Sequence, residues 1–217
     1  MVSKTFNVII LISGNGSNLQ AIIDQKNAGI LPIEICAVVS NRLDAYGLIR
    51  AKNAGIPTIV INHRDYSDRQ SFDEAMRQKI DKFNPNLIVL AGFMRILSDE
   101  FVNHYLGRMI NIHPSLLPDY RGLDTHQRVL NDGKDIHGVS VHYVTPELDG
   151  GPVFMQSTVP VEAHDTVETL AQKVHTEEHI IYPLAIKLIA EKRIVFNEGS
   201  ILLDGTPLLS PIISPVQ

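Results

Sequence analysis

Short β-rich apolar runs alternate with helical periodicity from the start of the chain. FNVIILIS is followed by NLQAIIDQKNAG, IEICAVVS by DAYGLIRAKNAG, PTIVI by SFDEAMRQKIDKF, and NLIVLAG by SDEFVNHYLG. The apolar runs are nearly continuous rather than alternating, as expected of strands covered on both faces by helices. They predict an α/β fold with a doubly wound, mostly parallel sheet of the Rossmann-like kind. Gly29, Gly55 and Asn84-Pro85 stand where three of the helices should stop.

The texture changes after residue 108. MINIHP, GVSVHYVTPELDGGP and VFMQSTVPV read as strands separated by turn-rich loops, so the sheet should become mixed in the C-terminal half. A long helical stretch from about Asp165 to Glu191 follows, then a hairpin around Glu198-Gly199 and a proline-punctuated, irregular tail. No linker or repeat separates the halves. The expectation is a single domain over 1–217, with a phosphate-binding half at about 6–108, a catalytic half at about 109–205 and a tail at 206–217. In such sheets ligands bind at the carboxyl ends of the strands, which brings together the loops at 13–18 and 92–97 and the end of MINIHP.

Composition narrows the partners. With 44% apolar and 20% charged residues in 217, the chain can bury a full core without staples. Its net charge of −5, with no block of like charges, offers neither the basic footprint of a nucleic-acid binder nor a polybasic membrane patch, so small molecules are the expected partners. Cys36 is the only cysteine, compatible with a reducing compartment. MVSKTFNVIILIS runs directly into glycines without a cleavage site, so a cytoplasmic location is expected.

The stretch SGNGSN after the first strand opens a helix whose outward N–H groups suit a phosphate. It is not a dinucleotide fingerprint: Leu19 stands where the third glycine belongs, and the second strand ends in Ser40-Asn41 without an acidic residue. A phosphate monoester held by Gly16, Ser17 and Asn18 remains, against the plainer reading of a tight turn that uses glycine for its backbone. On the long helix, His175-Thr176-Glu177-Glu178-His179 matches H-x-x-E-H, but a third ligand is missing. Glu178 is better read as a carboxylate for a substrate amine, and no metal is expected.

MINIHPSLLP places Asn111 and His113 in an apolar strand end, two residues apart and hence on one face. Asp149, flanked by glycines after an apolar strand, could reach an imidazole, orient it and favour its charged form. Ser140 and His142 form a further polar pair in HGVSVHYV. A donor, an acid and an orienting carboxylate are then available. Ser115 is the conceivable nucleophile, two residues along the same strand end.

LISGNGSNLQAII, VLAGFMRIL, INIHPSLLP, HGVSVHYVTPELDGGP and TEEHIIYPL together resemble the phosphoribosylglycinamide formyltransferases, folate-dependent enzymes of purine synthesis; the likeness covers roughly residues 6–205. The resemblance implies formyl transfer from 10-formyltetrahydrofolate to the amine of glycinamide ribonucleotide, by direct attack, with Asn111, His113 and Asp149 as the catalytic residues. It implies that Gly16, Ser17, Asn18, His175 and Glu178 hold the phosphoribosylglycinamide. It assigns Arg69, Met94, Arg95, Ile96, Leu97, Asn111, Thr145, Pro146, Glu147, Leu148 and Asp149 to the folate. A monomer or homodimer is implied.

Asp119 and Asp124 make the loop at 118–126 more acidic than the family pattern, with Arg121 as a nearby positive charge. The competing readings are three. A tRNA-directed formyltransferase would add a basic RNA-binding domain. A formyltetrahydrofolate hydrolase would add a regulatory domain before Phe6. A silent folate or nucleotide binding module would not require Asn111, His113 and Asp149 together.

Overall fold

The computed structural model describes residues 5–214. Met1–Lys4 of the N-terminal run and residues 215–217 of the predicted tail lie outside the described residues. The chain divides between Ile110 and Asn111 into two compact units.

In the first unit, β1 (Phe6–Ile12), β2 (Ile33–Ser40), β3 (Thr58–Val60) and β4 (Leu87–Leu90) alternate with α1 (Ser17–Asn27), α2 (Gly47–Asn53) and α3 (Arg69–Ile80), with α4 (Asp99–His104) after β4. β1 pairs in parallel with β2 on one side and β4 on the other, and β2 with β3. Val8 to Ile12 are wholly buried, the reason for the continuous apolar run. α1 buries Leu19, Ile22 and Ile23, and α3 buries Phe72, Met76 and Ile80 at helical spacing. The Asp68 carboxylate caps α3 by accepting the Ser71 N–H at 2.7 Å. Strand order reverses at β1, so the loops after β1 and β4 flank a switch point.

Strand β5 (Met109–His113) carries the chain across the division. The second unit then contains α5 (Thr125–Asn131), β6 (Ile136–Tyr143), β7 (Val153–Pro160), α6 (Val167–Ala190), β8 (Ile194–Asn197), β9 (Ser200–Leu203), β10 (Thr206–Pro207) and β11 (Ile212–Ile213). β6 and β7 are antiparallel, β11 runs parallel to β7, and α6 packs on β6 and β7, so this half is mixed as expected. α6 starts at a capping box made by Thr166 and Thr169. β8 and β9 form the predicted hairpin, with Glu198 and Gly199 both at positive φ, 47° and 85°.

The tail is not irregular throughout. Thr206–Pro207 pairs with β9, and Ile212–Ile213 adds an edge strand to β7, with the Ser214 N–H donating to Gln156 O at 2.8 Å. Two-residue strands have no periodicity to read; an unpaired edge with free backbone groups recruited them. Among the described residues no helix is long and apolar enough to cross a membrane.

Candidate active site

The glycine loop of the first unit is built by backbone fit. Gly16 takes φ 74° and caps α1 without a side-chain hydrogen bond. A Cβ on Gly16 would lie 2.7 Å from the Gly47 Cα, so glycine is needed here for both conformation and space. The Gly47 N–H donates to Gly14 O at 3.1 Å. Arg50 grips the loop: Nε donates to Asn15 O and Nη2 to Asn15 Oδ1, each at 3.0 Å. Ser17 is half-buried and Asn18 buried.

The loop after β4 lies against the same residues. The Ser13 N–H donates to Gly92 O at 3.0 Å, and Ser13 Oγ accepts the Met94 N–H at 2.8 Å. Two of the three loops that the sequence grouped are therefore joined within this unit. Met94 and Ile96 are 73% and 56% exposed although apolar, while Leu97 is buried. Exposed apolar side chains in a loop at a strand's carboxyl end are a feature that ligand sites share. The Arg95 guanidinium lies over the Phe72 ring at 5.1 Å. Arg69 is exposed in the first turn of α3.

The second unit brings Asn111, His113 and Asp149 together with His142. Asp149 takes φ 48°, a left-handed conformation that aspartate tolerates. A Cβ on Gly151 would fall 1.8 Å from Tyr143 O, so only glycine lets the chain turn back this tightly. Asp149 Oδ2 accepts the Gly122 N–H at 2.9 Å and lies 3.5 Å from His113 Nδ1. His113 Nε2 lies 2.9 Å from Tyr120 O, so each ring nitrogen faces an oxygen acceptor.

His142 is the member that sequence reasoning left without a role. Burial pushes its imidazole down to about 4, against the opposing influence of the Tyr143 carbonyl and the Asp149 carboxylate. A neutral ring at this position donates from Nδ1 to Tyr143 O at 3.0 Å and accepts at Nε2 from Asn111 Nδ2, 3.2 Å away. That bond fixes the Asn111 amide and leaves its second N–H to point elsewhere. Alternation in HGVSVHYV was the available signal, since Ser140 and His142 share a face.

Ser140 serves the loop after β5. Its Oγ donates to Ser115 O at 2.7 Å and accepts the Leu117 N–H at 3.0 Å. Ser115 is fully buried and donates its own hydroxyl to Asp119 O at 2.6 Å, which ties it up as a structural group rather than a nucleophile.

Thr145 is half-buried, Pro146, Glu147 and Leu148 are exposed, and Glu147 pairs with Arg121. On α6, Glu178 is buried and His175 exposed; the His175 and His179 rings stack with centroids 6.5 Å apart. Among the described residues no group of three or more His, Cys, Asp or Glu side chains could hold a metal ion.

Comparison with known proteins adds a lineage to this geometry. The family model for formyl transferases matches residues 6–186. The phosphoribosylglycinamide formyltransferase of Escherichia coli (strain K12) is 50% identical over 202 residues, covering 93% of this chain and 95% of that protein. The solved structure of the phosphoribosylglycinamide formyltransferase of Coxiella burnetii is 52% identical, with a TM-score of 0.93 over 98% of this chain and 100% of its own. A glycinamide ribonucleotide transformylase from Symbiobacterium toebii gives 40% identity and a TM-score of 0.88 over 92% and 94%. A trifunctional purine biosynthetic protein of Bos taurus is 45% identical over 196 residues, 90% of this chain but 19% of that larger protein. By motif, fold and extent of identity, the chain belongs to the phosphoribosylglycinamide formyltransferase family.

Proposed function

We propose that the protein transfers the formyl group of 10-formyltetrahydrofolate to the amine of phosphoribosylglycinamide, a step of purine biosynthesis. The observation that carries this reading is the arrangement of Asn111, His113, His142 and Asp149 in a chain of this family. The folate supplies an activated formyl group on N10, so no covalent enzyme intermediate and no metal are required.

The side chains divide the work. Asn111, held by His142, donates its remaining amide N–H to the formyl oxygen as the substrate amine adds and negative charge develops there. His113 donates from Nε2 to the same oxygen, which replaces Tyr120 O as its acceptor. Asp149 orients His113 through Nδ1 and, through a water, carries the proton from the attacking amine toward the departing N10.

For the substrates, the N–H groups of Gly16, Ser17 and Asn18 take the phosphate, and Glu178 with His175 takes the glycinamide. Met94, Arg95, Ile96 and Leu97, with the segment from Thr145 through Pro146, Glu147 and Leu148 to Asp149, receive the pterin, and Arg69 contacts the folate. The cytoplasm suits a chain whose one thiol, Cys36, is free.

Turnover with 10-formyl-5,8-dideazafolate and glycinamide ribonucleotide, followed by the absorbance of the deformylated folate, tests the proposal. The wild type should turn over, and His113→Ala and Asp149→Asn should each lose about 10²–10³-fold in kcat. A wild type that binds both ligands without turnover would be the silent binding module instead.

A further inference from the structure

Ser13 stands between the two ligand loops of the first unit and bonds to both of its surroundings at once. It is 4% exposed, and the residue after it, Gly14, begins the glycine loop. Three hydrogen bonds engage it: N–H to Gly92 O at 3.0 Å, Oγ from the Met94 N–H at 2.8 Å, and Oγ–H to Asn41 Oδ1 at 2.6 Å. The hydroxyl's proton is committed to Asn41, so its lone pair is aimed at Met94 and cannot rotate away without losing a bond. Asn41 is 3% exposed and is held in turn by His63, whose Nδ1 lies 3.0 Å from Asn41 O.

The segment after β4 is thus held by Ser13 at Gly92 O and Met94 N, by Leu11 O at the Ala91 N–H, 2.9 Å, and by Asp73 Oδ2 at the Ser98 N–H, 2.5 Å. Of these, the Ser13 bonds lie next to the glycine loop itself and reach furthest toward Met94. On the other side the glycine loop is gripped by Gly47 and Arg50. A phosphate that immobilises residues 16–18 restrains Gly14 and Ser13, and through Ser13 the backbone of Met94.

We infer that Ser13 is a positioning residue that couples the two substrates: occupancy of the glycine loop sets the Met94–Leu97 segment for the folate, and the folate tightens the phosphate site by the same factor. The inference rests on the ligand assignments under Proposed function. It gives Ser13 a role that neither a catalytic group nor a simple turn residue has.

The test is binding of 5,8-dideazafolate, which carries no formyl group to transfer, to the full chain by fluorescence, with and without saturating glycinamide ribonucleotide. In the wild type the ribonucleotide should tighten the folate analogue about fivefold or more. In Ser13→Ala that ratio should fall to about one, and kcat/KM for the folate should drop about tenfold, while ribonucleotide affinity measured alone stays within about twofold. Ser13→Thr, which keeps the hydroxyl, should restore the ratio.

Asp73→Ala is the control. It frees the far end of the segment, so it should weaken the analogue and leave the ratio at its wild-type value. If Ser13→Ala does not fold, Asn41→Ala, which removes the acceptor that aims the hydroxyl, should abolish the ratio in its place. A wild type that turns over but shows no coupling, or a Ser13→Ala that keeps it, overturns the inference and leaves the proposed function standing. A wild type that binds neither ligand overturns both.

Discussion

The second unit holds two histidine pairs that differ in what completes them. His126 Nδ1 lies 3.0 Å from His137 Nε2, so one ring donates to the other and neither needs a charge. Burial, first, and the neighbouring imidazoles push both below the usual histidine value, His137 to about 4. His113 and His142 are as buried, yet Asp149 lies within 3.5 Å of one and 3.8 Å of the other, and Asn111 bonds His142. The same side chain meets another imidazole in one place and a carboxylate in the other. What separates them is a carboxylate and an amide, not burial.

The comparison breaks most visibly at the more deeply buried member of each pair. His142→Leu removes the acceptor that orients the Asn111 amide, and kcat should fall about tenfold or more through a misaimed donor. His137→Leu, an equally buried replacement, should change kcat less than about twofold, because its partner His126 has no role at the reacting atoms. Steady-state kinetics on both variants, with folding checked by thermal melts, decides it. Equal losses would make His142 a packing group as well.

In stability the two pairs should act alike. Their more deeply buried members, His137 and His142, are pushed by burial to about 4, below the roughly 6.5 expected in the unfolded chain. As the pH falls below about 6.5 the unfolded state binds protons that the folded state refuses, so the stability contributed by neutral burial is intact above that pH and is lost toward about 4. Urea melts from pH 7 to 4.5 should show stability falling as pH is lowered. His137→Gln should reduce the slope by up to about one proton. A slope unchanged in that variant would mean that His137 titrates normally.

What was legible in the sequence follows the range of the interactions. β1, the glycine loop and α6 are written in contiguous patterns, and so were read. Asn111 and His113 could be paired because a strand puts alternate residues on one face. Arg50 could not be assigned to the glycine loop, because its partner Asn15 lies far away in sequence and its own neighbourhood, LIRAKN, reads as an ordinary helix face. Ser13 has no local signal for its role; its bond to Met94 exists only once β1 and β4 are adjacent. β11 was invisible because its two residues are recruited by the edge of β7. Local periodicity carries elements, and the fold carries the pairings between them.

The smallest expected effect concerns the loop at 118–126. Its acidic residues were set against Arg121 as a source of positive charge, but Arg121 pairs with Glu147 with both side chains substantially exposed, 39% and 65%. An exposed ion pair is screened by solvent and contributes about 0–1 kcal/mol. The contact that matters to Asp149 from this loop is the Gly122 N–H, a backbone group that substitution of Arg121 leaves in place. Arg121→Ala should therefore cost no more than about threefold in kcat/KM for the folate, Glu147→Ala a similar amount, and the double variant no more than either alone. The losses should shrink as salt is raised. A tenfold loss in Arg121→Ala that persists at high salt would show that its charge reaches the reacting atoms, and would place a cation beside the Asp149 carboxylate.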